Sequence, residues 1–184
     1  MQDEAYTTRS LTLFVSSHFM FNVLGKLQSE ILSGDKREAL STITLYTRIL
    51  RQACTLSNSK KNSLAEEGLF LERYLQLEQN RFVELSMQYQ IYGFELQTDL
   101  IEPFMIQPFV ELAVLSSLGA QNNILNLSYD KAQNAIHIQS IMHNESAAEK
   151  LEDKCEIALH RLKFFNHSYT RTINESTLTQ TINI

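Results

Sequence analysis

The chain has 184 residues, 43% of them hydrophobic and 20% charged, with a formal net charge of −5. That length makes one generous domain or two small ones, able to bury a core without disulfide or metal staples. The acidic balance argues against a nucleic-acid partner. The two cysteines, Cys54 and Cys155, lie far apart without a C-x-x-C spacing, which argues against a disulfide framework or zinc site, and no apolar run nears the ~18 residues of a membrane span. The expectation is a cytoplasmic chain with no metal, no cofactor and no membrane insertion.

Charge divides the chain in two. Residues 1–62 carry eight Lys/Arg against five Asp/Glu, a balance of +3, and residues 63–184 carry eight against sixteen, a balance of −8. Two modules are therefore expected, 1–62 and 63–184. From about Leu11 to Leu32 the sequence is free of proline and dense in apolar residues, which predicts a helix buried in a bundle. "SGDKRE" ends it, with Gly34 placed as a C-terminal cap and Asp35 and Glu38 as a capping box for the next helix. That helix, about Lys36 to Leu56, carries Leu40, Ile43, Tyr46/Thr47, Leu50 and Cys54 on one stripe. After the polar loop "SNSKKN", Ser63 and Glu66 form a second capping box ahead of "LAEEGLFLERYLQLEQNRF".

From Leu85 the period changes from helical to alternating. "LSMQYQIYG", "NILNLSYD" and "NAIHIQSIM" read as strands. Between the first two lies a helix within "EPFMIQPFVELAVLSSLG", with Pro108 in its first turn and Gly119 at its end. A further helix is expected from about Ala148 to Phe165, and "SYTRTINESTLTQTINI" closes the chain as a hairpin around Asn174-Glu175-Ser176. The fold class is α+β, a helical bundle followed by an α/β sandwich with its helices on one face of a mixed sheet.

Four segments in this order resemble a known family. "SHFMFN" is similar to the "PHFLFN" signature of LytS-type sensor histidine kinases, and "YTRILR" to their "LSDLLR". The third helix resembles their "L-x-x-E-L-x-x-I-x-x-YL-x-I-x-x-x-RF" through Leu64, Glu67, Tyr74, Leu75, Glu78, Arg81 and Phe82, and "IQPFVELAV" is similar to "LQPLVENAI". The resemblance implies a dimerisation and phosphoacceptor bundle over 1–62, joined to a GHKL-type ATP-binding domain over 63–184. It also implies that His18 accepts the γ-phosphoryl group. A neutral imidazole is a workable nucleophile near pH 7. Asn22, one turn on, would orient the ring or meet the phosphoryl oxygens. The family's proline before the histidine is Ser17 here. Read from the residues alone, His18 is more often a ring packed at a bundle surface, a reading that the signature around it brings level with the acceptor; Arg48 and Arg51 are either anion-binding partners of His18 or solvated bundle residues.

The ATP half departs from the family. Mapping "VENAIKHG" onto residues 110–117 gives "VELAVLSS", so Glu111 is kept while the Mg²⁺-binding asparagine is Leu112. A leucine offers no oxygen to a hard cation. Where Asp-Asn-Gly-x-Gly should follow "AIHIQSIM" the chain reads "HNESA", and no glycine follows Gly119. Backbone that cradles phosphates relies on glycine. His137, His143, His160 and His167 show no metal-ligand spacing, and no oxyanion-hole motif accompanies Ser16 or Ser17 beside His18. The expectation is a pseudokinase of two-component signalling that works as a homodimeric histidine phosphotransfer relay or scaffold, with a response regulator or a partner kinase as its counterpart. The alternative is an active ATP-dependent kinase that phosphorylates His18.

Overall fold

A computed structural model describes residues 17–81, 87–120, 123–143 and 152–184, except for the side chains of residues 17, 18 and 152–155. Within it Ser17–Leu32 form α1, Lys36–Ser57 α2 and Leu64–Arg81 α3. The expected start of α1, residues 11–16, lies outside the described residues. Gly34 closes α1 at φ +81°, and Asp35 caps α2 by accepting from the Glu38 N–H at 3.1 Å. Ser63 and Glu66 form a reciprocal box: the Ser63 N–H and hydroxyl donate to Glu66 Oε2, each at 2.9 Å, and the Glu66 N–H donates back to Ser63 Oγ at 3.2 Å.

The stripe expected on α2 is not the one that the chain buries. The buried positions are Ala39, Thr42, Leu45, Ile49, Ala53 and Leu56, whereas Leu40 (66% exposed), Ile43 and Cys54 face outward. Small residues at 39, 42 and 53 let neighbouring helices approach closely, so the inner seam reads as weakly apolar in sequence. The expected positions 40-43-47-50-54 keep the 3-4-3-4 spacing of a heptad seam, with Leu50 half-buried against the core and the other four exposed. Helix α1 repeats the arrangement. Phe19 and Val23 point inward, while Phe21 (69% exposed), Leu24, Ile31 and Leu32 are exposed.

Strands follow the alternation in the sequence. Asn62–Ser63 (β1) and Leu100–Ile101 (β3) pair in a two-residue antiparallel ladder that the sequence did not announce. Gln88–Tyr92 (β2), Ile124–Asp130 (β4), Ala135–Ile141 (β5), Ser168–Asn174 (β6) and Thr177–Asn183 (β7) form one sheet in the order β2-β4-β5-β7-β6. Only β2 and β4 run parallel; Leu127 sits opposite Ile138, and Ile136 opposite Ile182. These residues, with Leu125 and Leu178, make the sheet's buried face, and Ser128, His137 and Gln139 lie on the other. Gln107–Ser116 (α4), with Pro108 in its first turn, packs on β5, and Glu152–Phe164 (α5) packs beside β6. Residues 148–151 of the expected α5 lie outside the described residues. The closing hairpin turns at Glu175, φ +54°.

The hydrophobic core is continuous from hairpin to sheet. The Phe19 ring lies 6.0 Å from Tyr46 on α2 and 5.8 Å from Tyr74 on α3, and one buried cluster runs on through Phe70, Phe109 and Leu127. Phe109 stacks on Tyr169 at 4.6 Å, which ties α4 to β6.

Two glycines with positive φ make contrasting tests. At Gly34 (φ +81°) a Cβ would meet nothing within 4 Å, whereas at Gly93 (φ +78°) it would lie 2.4 Å from the Tyr129 carbonyl oxygen. Gly34→Ala should lower the unfolding free energy by about 1 kcal/mol, the left-handed penalty alone, and Gly93→Ala by more than about 3 kcal/mol. Denaturant midpoints check this, and equal losses would show that the close approach at Gly93 is not restrictive.

Candidate functional site

His18 is the second residue of α1, and its side chain lies outside the described residues. Phe19 anchors this turn against α2 and α3, Asn22 is half-buried one turn further on, and Phe21 is exposed. Arg48 and Arg51 are both exposed on α2. Arg48 opens, with Arg37, Leu40 and Gln76, onto a groove of about 360 Å³ between α2 and α3.

The second candidate region lies between α3 and α4, and it gathers residues far apart in sequence. α3 brings Tyr74, Glu78 and Arg81 to one face by its i, i+4, i+7 repeat. Arg81 pairs with Glu78 at 3.1 Å, with the Glu78 side chain buried. From α4, Gln107 donates to Glu111 Oε2 at 3.2 Å, and both are buried. Tyr74 stands between the two helices. Burial first, then the Glu78 and Glu111 charges, hold its phenol well above the usual tyrosine range, so it stays protonated. Five of the residues singled out by the resemblance, Glu67, Tyr74, Glu78, Arg81 and Glu111, are thus buried or nearly so.

On α4 the Leu112 side chain offers no oxygen to a cation, although Glu111 beside it and Gln107 one turn earlier carry oxygens. Leu112 is 1% exposed. The next two polar positions are already committed: the Ser116 hydroxyl donates to the Leu112 carbonyl and the Ser117 hydroxyl to the Val114 carbonyl, each at 2.7 Å. The end of α4 is also pinned by the strand that would lead to a glycine-rich turn. The His143 N–H donates to the Ser116 carbonyl at 2.8 Å, and the His143 ring lies so close to Gly119 that a Cβ there would meet it at 2.9 Å. Residues 144–147 of "HNESA" lie outside the described residues.

The histidines do not converge. His137 Nδ1 is 3.1 Å from Thr181 Oγ1, His160 meets Glu156 at 3.8 Å on the surface, and His167 Nε2 lies 2.8 Å from Glu102 Oε2. Among the described residues no group of His, Cys, Asp and Glu could hold a metal ion. The His167–Glu102 pair belongs to a buried charge cluster that sequence reading missed. Its members come from the linker, α3, the turn before α4, α5 and the residue before β6. Glu67 alone carried a signal, as a charge on the face of α3 that also holds Phe70, Leu71 and Tyr74.

Residues 7–85 match the model of the family described as histidine kinase, and that stretch of the chain is histidine-kinase-like. Among curated proteins no relative matches. Among solved structures the chain is similar to a bacterial phosphotransferase, with 8% identity over 98% of this chain and 95% of the other and a TM-score of 0.47. It is also similar to the histidine kinase domain of the blue-light-activated histidine kinase EL346 from Erythrobacter litoralis, with 7% identity over 100% and 94% and a TM-score of 0.46. Neither likeness is close enough to carry a function across. No helix among the described residues is long and apolar enough to cross a membrane.

The packing around α4 generates one stability test. Leu112→Asn would place an amide in a site that offers it no described partner, at a cost of about 2–4 kcal/mol. Chemical denaturation measures it. A neutral substitution would mean that the position opens onto water or a polar cavity, as a nucleotide site would require.

Proposed function

We propose that the chain is a two-component signalling protein that has lost ATP-dependent phosphorylation and acts as a histidine phosphotransfer relay or scaffold. The observation that carries this reading is the state of α4, where buried Leu112 stands in the Mg²⁺ position and the Ser116 and Ser117 hydroxyls are spent on α4's own carbonyls. Each hydrogen bond to a charged group is worth about 1.5–3 kcal/mol, so losing three costs roughly 4–9 kcal/mol, about three to six decades of affinity. A micromolar Mg-ATP site would become millimolar or worse. The functional division is at residues 62 and 63, a basic phosphoacceptor-like hairpin before an acidic, degenerate ATPase-like module.

The hairpin is read as a homodimer. α1 and α2 each carry exposed apolar residues at heptad spacing in addition to the stripe they bury, Phe21, Leu24 and Ile31 on one and Leu40 and Ile43 on the other. Two hairpins that pair these exposed residues form a four-helix bundle with crossing angles near about +20°. Light scattering should give a dimer at micromolar concentration, and Leu40→Glu with Ile43→Glu should give a folded monomer. A wild-type monomer would count decisively against the bundle.

His18 and Asn22 are the proposed phosphoacceptor and its orienting neighbour. Phosphoryl transfer asks mainly for in-line positioning, so a hairpin that presents His18 can exchange phosphoryl with an acidic regulator pocket without an ATP site of its own. Mixed with a phosphorylated cognate response regulator, the wild type should acquire acid-labile, base-stable label that His18→Gln loses while staying folded. Mg-ATP alone should give no label and no saturable binding below about 1 mM. Micromolar Mg-ATP binding with label on His18 would establish the active-kinase alternative. Absence of label from every cognate regulator would leave the scaffold, with a partner kinase or regulator docked on the dimer.

A further inference from the structure

Where the hairpin hands over to the sheet, five elements converge on a buried charge cluster. Glu67 is fully buried, and its Oε1 accepts from Asn62 Nδ2 at 3.0 Å and from the Phe104 N–H at 3.2 Å. Its Oε2 is buried with no hydrogen-bond partner among the described residues. Glu102, also buried, meets Lys61 Nζ at 3.0 Å with one oxygen and His167 Nε2 at 2.8 Å with the other. Arg161 donates from Nη2 to the Pro103 carbonyl at 2.8 Å, and its charge acts on both Glu67 and Glu102. Glu66, next to Glu67 on α3, has its carboxylate engaged by Ser63. Glu66 and Arg161 thus act on Glu67 directly, and Arg161 links it to Glu102 with its partners Lys61 and His167, groups from the linker, α3, the turn before α4, α5 and the residue before β6.

The segment that these groups hold is strained. Phe104 has φ +55°, a left-handed conformation costly for an aromatic residue, and its ring is wedged edge-on against Phe70 at 5.2 Å. α4 begins three residues later. On the other side, Asn62 both donates to Glu67 and pairs with Ile101 in the β1–β3 ladder. Glu67 thus bonds to the hairpin's exit and to the approach to α4 through one oxygen.

We propose that this cluster is a proton-operated latch between the helical hairpin and α4, locked while Glu67 carries a proton and loosened when that proton leaves to solvent. Protonated, Oε2 is a neutral hydroxyl in a buried site. Ionised, it is an anionic oxygen with no hydrogen-bond donor among the described residues, and Arg161, whose charge acts on it, also donates to the Pro103 carbonyl. The ionised carboxylate is relieved by local opening, in which water reaches Glu67, Arg161 leaves the Pro103 carbonyl, and the strained turn at Phe104 relaxes. The linker and the approach to α4 then move independently.

The pH window follows from the direction of the shift. Burial, against the donors from Asn62 and Phe104, pushes the Glu67 carboxyl up to about 7 from its ordinary 4.5. A raised carboxyl stabilises the locked state fully below the ordinary value, and that stabilisation is lost as the pH rises through about 7. Glu102 runs the opposite way. Burial alone would raise it, but His167 and Lys61 outweigh burial and hold it below the ordinary range, so its support is lost only in acid.

The test is amide exchange at Phe104, corrected for the intrinsic pH dependence. Protection should fall about tenfold per pH unit from about pH 5 to 7 and then level off. Glu67→Gln, neutral at every pH, should show a flat profile. A fall of the same size in Glu67→Gln, or a flat wild-type profile, would overturn the latch. If the variant does not fold, the ¹³C carboxyl resonance of Glu67 in the wild type decides: a midpoint near about 7 supports the latch, and one below about 5 refutes it.

Discussion

Tyr74 on α3 touches the Phe19 ring of the hairpin while its phenol lies among the carboxylates of α3 and α4. This double attachment sets what the rest of the molecule can do. α3 buries Leu71 and Tyr74 along with Phe70, Leu75 and Leu77, a face too wide for a helix packed on one side only. One flank completes the hairpin and the other roofs the sheet beside α4. Because α3 belongs to both, the hairpin is not a free-standing arm. Any motion that brings its exposed faces toward another surface must carry α3 or loosen the joint at Asn62 and Glu67.

That joint also explains why the charge pattern divides the chain where the core does not. A change of sign at residue 62 reflects the outer surface, which faces solvent and partners. The interior there follows a different rule, since a buried ion needs partners wherever the chain can supply them. Lys61 reaches forward to Glu102 and Asn62 to Glu67, so the boundary in charge is stitched across by the residues that mark it.

Much of the fold was legible in the sequence because local chemistry announced it. The Ser63–Glu66 box, the stop at Gly34, the alternation in "NILNLSYD" and "NAIHIQSIM", and the turn at Glu175 are all short-range signals. Two features were not legible for physical reasons. The inner seam of α2 is built from Ala39, Thr42 and Ala53 beside Leu45 and Ile49, so a larger apolar stripe outside it dominated the pattern. The His167–Glu102 pair joins residues 65 apart, and only the fold brings an isolated histidine and an isolated glutamate within 2.8 Å. In the candidate site, Tyr74, Glu78, Arg81 and Glu111 stand in segments that resemble a family, and the structure gathers them between α3 and α4, where Gln107, from the same segment as Glu111, donates to it.

The condition of α4 bears on chemistry in a more specific sense than the loss of one ligand. A nucleotide site needs unspent donors at the helix, room beside it and backbone able to approach phosphate. Here buried Leu112 has no oxygen to offer, the Ser116 and Ser117 hydroxyls satisfy their own helix, and the His143 ring closes on Gly119. Restoring asparagine at 112 would undo only the first. Acceptance of a phosphoryl group makes no such demands. It needs an imidazole nitrogen, a line of approach and a surface on which the donor protein can sit. The two halves of kinase chemistry therefore make separate demands on a fold, and what α4 offers decides nothing about the helix that carries His18.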